Sequence, residues 1–239
     1  MPKCDKHLAE RRNHCSLRRL HLDSGRALLL RPKLMGHRHS RIKLFENRWL
    51  EKLTVIAVPG FLAMWAIGLP LIAWRAWSVT GAAPGLAQLL ALMTVGLVLW
   101  TLTEYVLHRF VFHWQPASAL MEQFVFIMHG NHHAVPNDPL RNLMPPMVSL
   151  PVGGLVWAGL VALAGPAGNW LFLGWMSGYV AYDLVHYACH QWPMKGRLAR
   201  MLKTHHMHHH HLREEGNFAI TGMMWDRLFR TRIVRARQA

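Results

Sequence analysis

Cysteine is nearly absent from this chain of 239 residues: Cys4, Cys15 and Cys189 are all it has. No CxxC pair exists, so no disulfide framework is implied, and Cys189 reads as a small apolar filler. Acidic residues are scarce as well, 12 against 27 Lys and Arg. Between residues 53 and 193 the acids are Glu104, Glu122, Asp138 and Asp183 alone. No zinc-finger spacing, basic zipper or ribonucleoprotein motif accompanies the positive charge, which argues against a nucleic-acid partner. The first forty residues are polar and basic throughout and contain no legible signal peptide. They also lack apolar periodicity, so residues 1–40 are expected to be a partly disordered basic arm ahead of a membrane domain over 41–239.

What the chain has in quantity is apolar sequence, 52% of all residues, and 18 histidines. The charges are segregated from the apolar part: residues 1–52 carry 14 Lys and Arg, residues 194–239 carry 10, and only Arg75, Arg109 and Arg141 lie between. Such segregation fits a membrane protein with a basic skirt facing anionic headgroups. Four apolar runs, at about 53–74, 86–107, 143–164 and 169–186, each approach the roughly 20 residues that cross a bilayer. Too little amphipathic sequence remains to surround four wholly apolar helices in a soluble protein. The connections at 78–85 and 165–168 lack Lys and Arg, whereas the arm, the segment 108–142 and the tail are basic. The Lys/Arg bias therefore predicts an all-α integral membrane protein of four transmembrane helices with both termini cytoplasmic. Residues 42–50 read either as a short amphipathic helix lying in the interface or as the basic flank of the first span.

Thirteen of the histidines fall in four clusters: His108 and His113; His129, His132 and His133; His186 and His190; and the run from His205 to His211. The predicted topology puts all four on the cytoplasmic side, although the hydropathy argument does not use them. Residues three and four apart share a helix face. His129 with His132 and His133, His186 with His190, and His206 with His209 and His210 can thus each point one way. His108 and His113, five apart, fit a regular helix less well and suggest a helix end or a bulge. Ten imidazoles exceed one metal's needs and suit two metals with four or five nitrogens each. Glu104 and Asp183 precede His108 and His186 by four and three residues, where a carboxylate can accept the other ring N–H and set the tautomer. An all-imidazole set is compatible with iron, zinc or copper. A metal-binding or transport protein without catalysis uses similar residues, but transporters place ionisable groups near the bilayer midplane rather than at one edge.

The order HxxxxH, HxxHH, HxxxH, HxxHH resembles the integral-membrane fatty acid hydroxylase and sterol desaturase superfamily, in particular its fatty acid 2-hydroxylase branch. The likeness extends over roughly residues 41–232. Its specific stretches are Glu104-Tyr105-Val106-Leu107-His108-Arg109-Phe110, Met128-His129-Gly130-Asn131-His132-His133, Gly178-Tyr179-Val180-Ala181-Tyr182-Asp183, and Phe218-Ala219-Ile220-Thr221 leading to Trp225-Asp226. The family's spacing of seven residues from the final HH to a Phe selects His206, His209 and His210, leaving His205, His208 and His211 as extras. The resemblance implies a cytoplasmic helical cap holding a histidine-rich di-metal site. Its ligands are His108, His113, His129, His132, His133, His186, His190, His206, His209 and His210, and its metals are taken to be iron, with zinc able to replace it on purification. It further implies hydroxylation of C2 of an acyl chain by O2. Tyr179, Tyr182 and Asp183 are placed to meet the substrate head group. Another hydroxylase or desaturase of the superfamily, acting on a sterol, carotenoid or sphingoid base, is the runner-up. Yeast and animal members carry a haem-binding cytochrome b5 domain with His-Pro-Gly-Gly, a motif that these 239 residues do not contain. The expected electron donor is therefore a separate cytochrome b5-like or ferredoxin-like carrier. The family's Gly-Phe-Gly is Asn217-Phe218-Ala219 in this chain.

Overall fold

The computed structural model describes residues 41–212 and 215–234, and the basic arm over 1–40 lies outside them. The described residues are helical, with no strand among them. A short α1 (Arg48–Leu53) precedes the long α2 (Val58–Thr80) and α3 (Leu86–Leu107), and α3 runs into a π-helical turn, His108–Phe112. Next come α4 (Ala119–Val125), a second π turn at Phe126–Gly130, and α5 (Asn131–Ala134). Two long helices follow, α6 (Pro146–Ala164) and α7 (Gly168–Gln191), joined by a 3₁₀ turn at Gly165–Ala167. Finally α8 (Arg197–His211) and α9 (Met224–Leu228) form the C-terminal part.

Among the described residues, three helical stretches are long and apolar enough to cross a membrane: Val58–Thr80, Leu86–Phe112 and Pro146–Gln191. The last is a hairpin. A Cβ on Gly153 would meet the Met176 side chain, and the Trp157 indole donates to Asn169 at 3.0 Å, so α6 and α7 run antiparallel. Only 11% of the most apolar window of each stretch is buried. Ile67, Leu71, Trp74 and Leu155 stand exposed, which is tolerable only against lipid.

Backbone proximity holds the central pair α3 and α7 together. A Cβ on Gly96 would lie 2.3 Å from the Leu171 carbonyl oxygen, and one on Gly174 would lie 2.5 Å from that of Met93. Small residues permit this approach where lipid provides no hydrophobic drive between helices. Beside the contact, Phe61, Trp65, Trp100, Trp175 and Tyr179 form an edge-to-face aromatic cluster.

The segment before α2 is not the longer helix that is one reading of residues 42–50. Residues 41–47 have no helical structure, and Asn47 caps the helix that starts at Arg48. Ile42 and Leu44 are buried. The reason is Glu51, whose carboxylate accepts from the Leu44 and Phe45 amides and pairs with the buried Arg141. Arg141 also donates to the Ile42 carbonyl. The segment is thus strapped to the 138–142 loop.

Candidate metal centre

The ten predicted imidazoles come together in two groups. His108, His113, His129, His133 and His209 form one; His132, His186, His190, His206 and His210 form the other. Within each group the ligand atoms lie within 4.8 Å of one another. Both HxxHH motifs are shared between the groups. His129 and His133, four apart, turn to the first, while His132 turns to the second; His206 and His210 turn to the second and His209 to the first. Helical geometry requires this, since neighbours in sequence point about 100° apart while residues i and i+4 nearly eclipse.

The π turns explain the odd spacing. The extra residue in the turn His108–Phe112 brings His113 round to the face of His108, their ring centroids 5.1 Å apart. The second π turn ends at Gly130, beside His129.

Three rings have their tautomer set by backbone. His108 Nδ1–H donates to the Phe218 carbonyl, His186 Nδ1–H to that of Asn142 at 2.9 Å, and His209 Nδ1–H to that of Gly216 at 2.8 Å. A carbonyl can only accept, so the Nε2 lone pairs of these rings point inward. There they meet other Nε2 atoms: His108 to His129 at 3.0 Å, His209 to His133 at 3.1 Å, His186 to His132 at 3.0 Å. Ligand nitrogens gathered this closely are what a shared cation would hold. Metal–nitrogen bonds of about 2.1 Å place adjacent ligand atoms roughly 3 Å apart, which matches the spacing. Burial, reinforced by neighbouring imidazoles, holds His129, His132 and His206 well below the ordinary histidine range and pushes His133 down to about 2 and His209 to about 3. These rings are neutral at pH 7 and ready to ligate.

Glu104 and Asp183 do not accept from imidazoles, contrary to the direct contact expected. Glu104 takes the Ile220 and Thr221 amides and the Thr221 hydroxyl. Asp183 takes the Met144 amide and the Tyr179 hydroxyl at 2.9 and 3.1 Å. Each carboxylate therefore pins a loop two residues beyond the carbonyl that orients a histidine, Phe218 in one case and Asn142 in the other. A tethered amide satisfies both partners in a buried place, where an imidazole already held by a carbonyl has no N–H to offer. Tyr179 is committed to Asp183 and the aromatic cluster, whereas Tyr182 stacks on His186 with its ring 6.0 Å away and lines a cavity of mixed polar and apolar walls.

Asp226 carries a role the sequence did not disclose. Its carboxylate accepts from the Phe218 and Ala219 amides, the Thr231 hydroxyl and His205. His205 is accordingly turned away from both groups, which agrees with the register that begins at His206. Asn217, where the resembling family has Gly, adopts a left-handed φ of 55°. Asparagine tolerates that region, and its side chain donates to the His205 carbonyl and accepts from the Ile233 amide.

Two cavities meet at the centre. One of about 130 Å³ is apolar and lined by Trp100, Leu107, Phe124, Val152, Trp175 and Tyr179. The other, of about 50 Å³, touches His129 of the first group and His132 and His186 of the second. They share Phe112, Met128, Met144 and Val148 as walls.

The fatty acid hydroxylase family profile matches residues 93–231, which hold every one of these histidines. The chain belongs to the fatty acid hydroxylase family. The hydroxylase is 32% identical to the dihydroceramide fatty acyl 2-hydroxylase FAH1 of Arabidopsis thaliana over 190 residues, 79% of each chain. It is 38% identical over 144 residues to the fatty acid 2-hydroxylase of Homo sapiens, covering 59% of this chain but 39% of that one. With the ceramide very long chain fatty acid hydroxylase SCS7 of Saccharomyces cerevisiae it shares 35% over 197 residues, covering 79% of this chain and 48% of the relative. A solved structure of full-length scs7p, with only the hydroxylase domain visible, superimposes with a TM-score of 0.71 at 31% identity, covering 80% of this chain and 72% of that one. These relatives are named for acyl hydroxylation, not for sterols or carotenoids.

Proposed function

We propose that the chain is a four-span membrane di-iron oxygenase that sets a hydroxyl group on C2 of a long-chain fatty acid or of a lipid's fatty acyl chain. It uses O2 and takes electrons from a separate carrier, cytochrome b5-like or ferredoxin-like. The observation that carries this reading is the meeting of two five-imidazole groups beside a small cavity that shares four walls with an apolar one. The names of the relatives support the acyl chain and the position hydroxylated.

The ten histidines would hold the two metal ions, five each. Bound iron supplies the oxygen-activating redox chemistry that no side chain possesses. The protein's own part is alignment. Phe112, Met128, Met144 and Val148 confine the chain between the two cavities and exclude water. His129, His132 and His186 present the edge of both groups to the confined carbon. Tyr182 meets the polar end of the substrate, and Tyr179 closes the wall beside it. Glu104 and Asp183 keep the carbonyl-bearing loops in register so that His108 and His186 stay aimed. Counting the hairpin α6–α7 as two crossings gives four, so the termini share a side, and the Lys/Arg bias assigns that side and the histidines to the cytoplasm.

Expression in a bacterium that makes no 2-hydroxy acyl chains tests the reading. Lipid analysis should reveal such chains, dependent on oxygen and lost in His132→Ala, His206→Ala and His209→Ala. Oxidised isoprenoids without 2-hydroxy acids would overturn the substrate. Full activity in all three variants would overturn the ligand assignment.

A further inference from the structure

On the far side of Trp100 from the substrate cavity lies a second recess that the hydroxylation reaction does not use. It has two parts. An apolar groove of about 450 Å³ runs between α3 and α7 and is lined by Leu97, Val98, Ala181 and Met224. A basic cleft of about 490 Å³ lies between α8 and the chain after α9, and Arg197, Arg200, Arg227 and Arg232 all line it. Met201, Met223 and Arg227 belong to both, so groove and cleft are continuous.

The cleft is electrostatically incomplete. None of the four arginines has an ion-pair partner among the described residues. Two of them occupy the first turn of α8, which has no acidic residue there and whose N-cap, Gly196, offers no side chain. Cations at a helix amino terminus oppose the helix dipole, and four like charges around one recess repel each other. An anion relieves both. The neighbouring surface is apolar and exposed at Leu198, Met201, Met224 and Leu228, which suits a membrane interface rather than water.

We propose that groove and cleft together bind one anionic glycerophospholipid, with its phosphate among the four arginines and one acyl chain along α3 and α7. Guanidinium forks match phosphate oxygens in pairs, and the groove is built from two helices long and apolar enough to span. An acidic protein partner would satisfy the arginines but leave the groove empty, so the continuity favours lipid. The bound lipid ties α8, which carries His206, His209 and His210, to the central helix pair. Anionic lipid thereby steadies the helix that presents three of the imidazoles.

The full chain in nanodiscs of phosphatidylcholine, with or without phosphatidylglycerol, provides the test. Native mass spectrometry should find one phosphatidylglycerol retained per chain, and the melting temperature should rise by about 5 °C, as expected for a ligand well above its Kd. Arg197→Gln, Arg200→Gln, Arg227→Gln and Arg232→Gln combined should abolish both effects without changing metal content. Val98→Trp, which fills the groove and leaves the arginines in place, should also release the lipid, and it decides the matter if the fourfold variant does not fold. Retention unchanged in Val98→Trp overturns the proposal. So does an equal rise with inorganic phosphate alone, which needs no groove, or a response to an acidic protein and none to phosphatidylglycerol.

Discussion

The two imidazole groups hold five rings each but are braced differently. In the first, His108 and His209 donate Nδ1–H to the carbonyls of Phe218 and Gly216, on a loop that Asp226 and Glu104 hold from both sides. In the second, only His186 is held this way among the described residues, by Asn142. The buried Nδ1 atoms of His132, His206 and His210 have no hydrogen-bond partner among the described residues. A ring held by a carbonyl has one tautomer and one orientation before a metal arrives. A ring without that support depends on packing and on the metal itself. With two of five rings held by backbone against one of five, the first group is the better preorganised for a metal.

The largest effect should come from removing a ring from either group. His108→Ala and His186→Ala should each lower metal content from two ions per chain to one, and product by on the order of 100-fold or more. Elemental analysis beside product assay checks this, and loss of both ions from one substitution would show that the groups do not bind separately. Next in size is Glu51→Ala, which leaves Arg141 buried with no carboxylate nearer than Asp138 at 3.8 Å. Breaking such a pair should cost about 3 kcal/mol, roughly 10 °C in melting temperature. Because Arg141 precedes Asn142, the second group's metal should leave while the first's stays.

A chelator titration sharpens the same contrast. The second group should release its ion at a chelator concentration roughly tenfold lower than the first, in line with the usual worth of hydrogen bonds to ligating rings. Glu104→Gln should narrow the gap by loosening the Phe218 loop, and simultaneous release of both ions from the unaltered protein would end the distinction.

Protonation should act on both groups, since burial also holds His132 and His206 of the second well below the ordinary histidine range. Burial holds His133 at about 2 and His209 at about 3 in the folded protein, against about 6.5 when unfolded. The unfolded chain therefore binds protons that the folded site refuses, and stability must fall as pH drops below about 6.5 and go on falling toward about 3. Above about pH 7 these rings contribute no slope. Thermal melts of the metal-free protein across this range should follow that curve, and a flat profile would contradict it.

The smallest effect belongs to the loop of the first group. Asn217→Ala places a Cβ residue without a compensating side chain at φ 55° and removes two hydrogen bonds. It should cost about 2 kcal/mol, and Asn217→Gly about 1 kcal/mol, since glycine keeps the backbone but not the bonds. Melting temperatures of the two variants should fall in that order.

Much of this was legible in the sequence. The apolar runs at 86–107 and 143–164 became α3 and α6 within a few residues, because predominantly apolar runs of about twenty residues have few other solutions. The awkward five-residue step from His108 to His113 announced a break in helical geometry, and a π turn is what formed. The ten histidines were readable from their clustering and from the resembling family's spacing to Phe218, but each HxxHH trio was expected to point one way, whereas His132 and His209 turn to the opposite group from their motif partners. The roles of Glu104 and Asp183 were misjudged for the opposite reason. Their helical spacing to histidines suggested contact along the helix, but the amides of Ile220, Thr221 and Met144 reached them first from distant loops. Asp226 went unassigned because all its partners are set by how one loop folds.

By itself the sequence determined the chemistry on offer: ten imidazoles at helical intervals, apolar helices long enough for a bilayer, and few acids near them. Those properties depend on residue type and on local periodicity alone. Only the tertiary structure decided how the rings divide into two groups, which carbonyl aims each ring, and which histidine of the last run turns away to Asp226. Such choices join residues as far apart as His108 and Phe218, 110 positions distant. A carbonyl is present in every residue, so nothing in the sequence distinguishes the one that a packed loop will bring to bear.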